Sequence, residues 1–154
     1  MSYTLRKAHT EIKKQTLIPL LLLADESIDK IHEYLPNGDL YYLEDSSGQV
    51  VGVIVMTKIN QNTMEIRNVS IKKEQQGQGL GKSIISLTLE QYKEQEYHHF
   101  IVGTANSSID NLAFYQKLGF RLYDIKKDFF LSYPEEIWEN GIRAVDMIML
   151  EKNE

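Results

Sequence analysis

Apolar residues along this chain change their spacing repeatedly, and each change marks an element. Tyr3 to Ala8 reads as a first strand. Thr10 is placed to cap a helix that runs through Leu17, Leu20, Leu21 and Leu23, with Pro19 bending or breaking it. Asp25 to Leu35 reads as a second, short helix, with Ser27 as N-cap and Ile28, Ile31 and Leu35 at helical spacing. Pro36-Asn37-Gly38 stops it. Leu40 to Leu43 and Val50 to Ile59 are two strands joined through Asp45-Ser46-Ser47-Gly48, and Asn60-Gln61-Asn62 turns the chain into a third, Met64 to Ile71. A long helix then reaches about Glu96, with Leu80, Ile84 and Leu87 on one stripe.

Phe100 to Thr104 is a short apolar strand, and Ser107 or Ser108 starts a helix that ends at Gly119, a residue suited to C′. Phe120 to Lys126 and Ala144 to Leu150 are the last strands, separated by an irregular segment holding Phe129, Phe130, Tyr133, Pro134 and Trp138. The order β-α-α-β-β-β-α-β-α-β-β predicts one mixed sheet with helices on both faces, an α/β (α+β) layer architecture. With no repeat, linker or low-complexity tract, residues 1–154 read as a single domain.

Composition narrows the function classes. There is no cysteine, so disulfides and thiolate metal sites are unavailable and a cytoplasmic setting is expected. The net charge is −5 with no run of lysines or arginines, which argues against nucleic-acid or anionic-membrane partners. No signal-peptide pattern opens the sequence, and the apolar run Leu17 to Ala24 is interrupted by Pro19 and too short to span a bilayer. The adjacent His98 and His99 point oppositely on a strand and have no ligand partner at metal spacing, so no metal is expected.

The stretch Glu65 to Ser83, EIRNVSIKKEQQGQGLGKS, carries the chemistry. A strand meets a glycine-rich loop that opens directly into a helix. Such a loop presents unpaired N–H groups and the positive end of the helix dipole, which suits a phosphate or pyrophosphate. A P-loop is out of register: Gly81-Lys82-Ser83 supplies its ending, but Gln76 stands where its first glycine belongs. A dinucleotide fingerprint fails too, since Gly77, Gly79 and Gly81 give G-x-G-x-G. Gln76-x-x-Gly79-x-Gly81 instead resembles the acetyl-CoA pyrophosphate loop of the GCN5-related N-acetyltransferases, [Q/R]-x-x-G-x-[G/A].

A second motif supports the same resemblance. Asn111-Leu112-Ala113-Phe114-Tyr115-Gln116-Lys117-Leu118-Gly119-Phe120 is similar to the family's later signature N-x-x-F-Y-x-K-x-G-F, on the helix and strand where the family carries it. Two motifs in the right order, and an element order that matches the family's mostly antiparallel sheet, extend the resemblance over nearly the whole chain. Thr104, Asn106-Ser107-Ser108, Asp128-Phe129-Phe130, Glu139-Asn140-Gly141-Ile142 and Asp146-Met147 look like a subgroup of small bacterial acetyltransferases.

The resemblance implies acetyl transfer from acetyl-CoA, as co-substrate, to an amine. Because the chain has no cysteine, transfer is direct in a ternary complex. The amine must lose a proton and the CoA thiolate must gain one. Tyr115 stands where the family's sulfur-facing tyrosine lies and is the candidate acid; its spacing from Leu112 and Leu118 equally allows a ring packed in the core. Glu65 is the candidate base, directly or through water; a solvated carboxylate paired with Arg67 or Lys58 across the sheet is the other reading. Strict alternation puts Glu65, Arg67 and Val69 on one face and Ile66, Asn68 and Ser70 on the other, unless a bulge intervenes.

Val69, Ser70 and Ile71 would pair with the pantetheine amides. Gln76, Gly77, Gln78, Gly79, Leu80, Gly81, Lys82 and Ser83 would hold the pyrophosphate through N–H groups, with Asn111 as a further contact and Asn106 a weaker one that equally reads as a turn or cap residue. Asp25, Glu26, Tyr42, Asp128 and Phe130 are acceptor-side candidates, and the acidic balance favours a cationic small molecule. The rival readings are a non-catalytic acyl-CoA-binding module and a nucleotide hydrolase. An exposed final strand would offer an edge to a second copy as a homodimer.

Overall fold

The computed structural model describes residues 2–154; residue 1 lies outside them. The chain divides after His98 into two compact units. Every strand is paired antiparallel within its unit, and the architecture is the mixed α/β arrangement expected, with one small hairpin added.

In the first unit, β1 (Thr4–Lys7), β2 (Gly38–Glu44), β3 (Val50–Lys58) and β4 (Thr63–Ile71) lie in that order. Two helices precede β2: α1 (Glu11–Leu21) and α2 (Ile28–Tyr34). Both start where the sequence places a cap. Thr10 accepts the Lys13 N–H at 3.1 Å, and Ser27 accepts the Lys30 N–H at 3.2 Å. Pro19 does not break α1; it sits inside the last turn and the helix closes two residues later. Leu40, Val53 and Val55 share one face of the sheet and form a buried cluster with Leu17, Ile18, Leu21, Ile31, Tyr34 and Leu35.

The other face carries α3 (Leu80–Glu94), which buries Leu80, Ile84, Ile85, Thr88, Leu89 and Tyr92. That face is centred on Ile84, Ile85, Thr88 and Tyr92, so Leu87, expected on the stripe, falls past its rim and is exposed. The Tyr41 hydroxyl donates to that of Tyr92 at 3.2 Å, which in turn donates to Asp39 at 2.6 Å. Desolvation raises the Tyr92 phenol far above its ordinary range, so it remains a donor in this chain of hydroxyls.

The second unit holds β5 (His99–Ala105), α4 (Ile109–Lys117), β6 (Arg121–Lys126), β7 (Trp138–Glu139), β8 (Ile142–Arg143) and β9 (Met147–Asn153), with strands ordered β5-β9-β6. The final strand β9 is therefore flanked on both sides, contrary to the exposed edge expected of it. The outer strand is β6, whose six residues are all exposed. The β7–β8 hairpin was not anticipated. Its turn is Asn140-Gly141, with φ of 56° and 74°, the pair of left-handed residues that a tight two-residue hairpin demands.

That hairpin is tied back to the start of α4. Glu139 accepts the Ser108 hydroxyl at 2.6 Å and the Ser107 hydroxyl at 3.3 Å, and Asn140 donates to the Ser107 carbonyl at 2.9 Å. Asn106 anchors the approach to β9: its side-chain oxygen accepts the N–H groups of Val145 (2.8 Å) and Asp146 (3.0 Å), and its amide donates to the Arg143 carbonyl at 3.2 Å. Among the described residues, no helix is long and apolar enough to cross a membrane.

Removing the Asn106 side chain leaves two backbone N–H groups without their acceptor. Asn106→Ala is expected to lower the unfolding free energy by about 1–2 kcal/mol in denaturant melts. An unchanged midpoint would remove the anchoring role.

Candidate active site

The glycine-rich loop follows β4 through a short 3₁₀ turn at Lys73–Gln75. Gln76 is fixed at its base, its side-chain amide donating to the Ile71 carbonyl at 2.9 Å. Gly77 and Gly79 both have left-handed backbones, φ 81° and 80°. A Cβ on either would meet nothing within 4 Å, so the demand for glycine is conformational rather than steric. Gly79 is the N-cap of α3 and makes no side-chain cap.

The first rung of the helical ladder is the Ser83 N–H donating to the Gly79 carbonyl at 3.1 Å, and the Ser83 hydroxyl donates to the same oxygen at 3.1 Å. Ser83 is thus engaged within the helix. The N–H groups of Leu80, Gly81 and Lys82 precede that rung and have no intrahelical acceptor. Lys82 is exposed beside them. This is a concentrated set of donors at the positive end of a 15-residue helix.

β4 carries four of the buried polar side chains of the first unit, Thr63, Glu65, Asn68 and Ser70, and a bulge decides where they point. Val55 pairs with Asn68 and Met56 with Ile66, so Arg67 is the extra residue. Beyond it the alternation inverts. Glu65 pairs with Thr57, Asn68 with Val55 and Ser70 with Val53, which puts Glu65, Asn68 and Ser70 on one face, toward α1 and α2. Unbroken alternation placed Glu65 opposite the other two; the bulge overturns that.

On this face Asn68 donates to the Leu21 carbonyl at 2.9 Å and to the Tyr34 hydroxyl at 3.0 Å, and accepts the Ser70 hydroxyl at 2.9 Å. Tyr34 donates onward to Asp25 at 3.3 Å. The Tyr34 phenol is pushed up to about 12, chiefly by desolvation, with the Asn68 hydrogen bond opposing it and the Asp25 charge reinforcing it. It stays protonated as a fixed relay in the network. Arg67 lies 4.8 Å over the Tyr34 ring and 3.6 Å from the Glu65 carboxylate. Glu65 is buried while Arg67 reaches solvent: the carboxylate is paired, but with a residue of its own strand, and it is not the solvated group that the second sequence reading expects.

Sequence reasoning identified Asp25 but missed Tyr34 and Asn68. The signal for Asn68 was an amide between the apolar Ile66 and Val69 in a strand that also carries Glu65, Arg67 and Ser70. Of Val69, Ser70 and Ile71, the main chain pairs with Ile54, Val53 and Gly52 of β3, and the Ser70 hydroxyl is taken by Asn68.

In the second unit Tyr115 lies on α4, 8% exposed, with its ring edge-on to Phe114 (5.1 Å) and Phe120 (5.7 Å). Burial alone raises its phenol above the ordinary value. The gap to a thiol is therefore wider than an unperturbed phenol would give, and the hydroxyl is held as a donor. Asn111, four residues earlier, is exposed on the same helix. Asn106 differs from the cofactor role expected of it, because its side chain is engaged by Arg143, Val145 and Asp146. His99 is paired with Glu151 at 2.8 Å, and among the described residues no group of three His, Asp or Glu side chains is arranged to hold a metal ion.

The comparisons with known proteins agree with this geometry. Residues 7–120 match the family model for the acetyltransferase (GNAT) family. The chain is 40% identical over 150 residues to the uncharacterized N-acetyltransferase YvbK of Bacillus subtilis (strain 168), covering 95% of this chain and 96% of that protein. A GNAT family acetyltransferase from Elizabethkingia anophelis, solved with acetyl-CoA bound, superposes with a TM-score of 0.91 at 37% identity, covering 99% and 98% of the two chains. An IAA acetyltransferase from Bacillus cereus ATCC 14579 gives a TM-score of 0.90 at 38% identity, with 99% and 100% covered. A buried tyrosine on α4, a bulged β4 and a donor-rich start to α3 thus occur in a chain whose family match spans most of its length: it belongs to the acetyltransferase (GNAT) family.

Proposed function

We propose that this chain acts as one acetyl-CoA-dependent N-acetyltransferase domain, moving acetyl directly from the thioester to a primary amine in a ternary complex. The observation that carries the reading is the start of α3: two left-handed glycines and three N–H groups without helical acceptors, matched to the diphosphate of CoA. The acetyl-CoA complex of the Elizabethkingia relative supports the same co-substrate. Gln76 to Lys82 supply the cradle, Val69 to Ile71 supply main-chain groups for pantetheine, and Asn111 adds a polar contact.

Two proton movements complete the reaction. Glu65 receives the proton that the acceptor ammonium must lose, and its burial beside Arg67 keeps it away from competing bulk water. Tyr115 offers its hydroxyl proton to the sulfur as the thioester opens. Since burial raises this phenol, the hydroxyl acts chiefly as a hydrogen-bond donor to the developing thiolate. Asp25 and Glu65, together with the net charge of −5, favour a cationic small-molecule acceptor. The cysteine-free sequence supports a cytoplasmic setting. A second copy, where one pairs, would use the outer strand β6, with Leu122 and Ile125 more than half exposed.

A thiol-release assay over polyamines, amino acids, aminoglycosides and peptide amines tests the reading, alongside thermal shift with acetyl-CoA and ATP. Stabilisation by acetyl-CoA and turnover of at least one amine are expected. Stabilisation with no turnover on any amine would make the chain a binding module instead. Tyr115→Phe keeps the ring packing against Phe114 and Phe120, so its melting temperature should hold while kcat falls about 100-fold. Unchanged kcat at saturating substrate would remove the donor role.

A further inference from the structure

Thr57 lies on β3 directly across the ladder from Glu65. Directly opposed residues hold their Cβ atoms about 4.5–5.5 Å apart on the same face. Thr57 is 9% exposed, and its hydroxyl is the one buried side-chain polar atom among the described residues that has no hydrogen-bond partner. Burying a hydroxyl unsatisfied is costly, and valine would fill this strand position with the same shape and no such penalty. The neighbours that share its row, Val53 and Val55, are valines. A threonine at the end of that row, facing the candidate base, calls for a ligand to the hydroxyl.

Resting on the reading of Glu65 as base, we propose that Thr57 is a positioning residue: its hydroxyl holds the water through which Glu65 takes the acceptor's proton. The Thr57 O–H donates to the water oxygen, and one water hydrogen points at the Glu65 carboxylate. The remaining lone pair faces the amine. The ammonium proton passes to the water as a water proton passes to Glu65, so the water is regenerated, the amine becomes neutral and the carboxylate becomes the acid. Glu65 later returns that proton to solvent. No covalent bond to Thr57 forms. Two anchors on rigid neighbouring strands fix such a water better than a carboxylate alone, since a buried water is held by two to four polar partners.

The first measurement needs no acceptor. A water-selective NOE experiment on the free protein should show a long-lived water cross-peak at the Thr57 methyl, absent at the residue 57 methyls of Thr57→Val. Absence from the wild type would overturn the proposal. The second uses steady-state thiol release with the best amine of the panel. Thr57→Val should lower kcat about tenfold with the KM for acetyl-CoA within about twofold. Thr57→Ser should recover most of the rate, which a purely packing role would not allow, because serine restores the hydroxyl and loses the methyl. Glu65→Gln should lower kcat at least as far, and adding Thr57→Val to it should cost nothing more. Impaired Glu65→Gln with normal Thr57→Val overturns the role of Thr57. Wild-type rates in Glu65→Gln overturn Glu65 as base while leaving the water cross-peak intact, so the two failures are told apart.

Discussion

Three backbone N–H groups at the start of α3 cannot be satisfied by the helix they belong to, and the rest of the molecule is arranged around that fact. A helix N-terminus is ordinarily closed by a serine, threonine or aspartate side chain. Here Gly79 occupies the cap, has no side chain to offer, and takes a left-handed conformation that alanine would adopt only with strain. The donors face outward, and the Gln76 side chain ties the base of the loop to the end of β4. The helix behind them is anchored by a continuous buried face from Leu80 to Tyr92, which fixes the direction of the donors as firmly as the core itself.

The second constraint is the bulge at Arg67. One additional residue in β4 brings Glu65 onto the face of Asn68 and Ser70, and with it a hydrogen-bonded series running from Ser70 through Asn68 and Tyr34 to Asp25. Asn68 also donates to the Leu21 carbonyl at the end of α1, which in addition accepts the backbone N–H groups of Ala24 and Asp25. One amide therefore links a helix end, a tyrosine and a neighbouring serine of its own strand. Polar groups buried this way cost stability unless each finds a partner. A fully connected network satisfies that requirement, and the Thr57 hydroxyl stands out against it.

Much of this was legible in the sequence, for physical reasons that differ by element. The caps at Thr10 and Ser27 and the alternating strands rest on local rules, and local rules are what a single sequence records best. The glycine loop was legible because left-handed backbone leaves a compositional mark. The bulge left none: Glu65-Ile66-Arg67-Asn68 alternates acceptably either way, and only pairing with β3 decides the register. The β7–β8 hairpin did leave a mark in Asn140-Gly141, but strands of two residues carry no periodicity to read. Asn106 looked like a ligand because an exposed-seeming asparagine near a strand end is chemically indistinguishable, in sequence, from one that captures backbone N–H groups.

On the function proposed above, the N–H groups from Gly77 to Lys82 grip the diphosphate of CoA. Amide hydrogen exchange, read residue by residue with and without acetyl-CoA, tests it most directly. Added acetyl-CoA should slow exchange at Leu80, Gly81 and Lys82 above all other amides of the first unit. Binding that protects other segments and leaves these amides exchanging as in the free protein would contradict it.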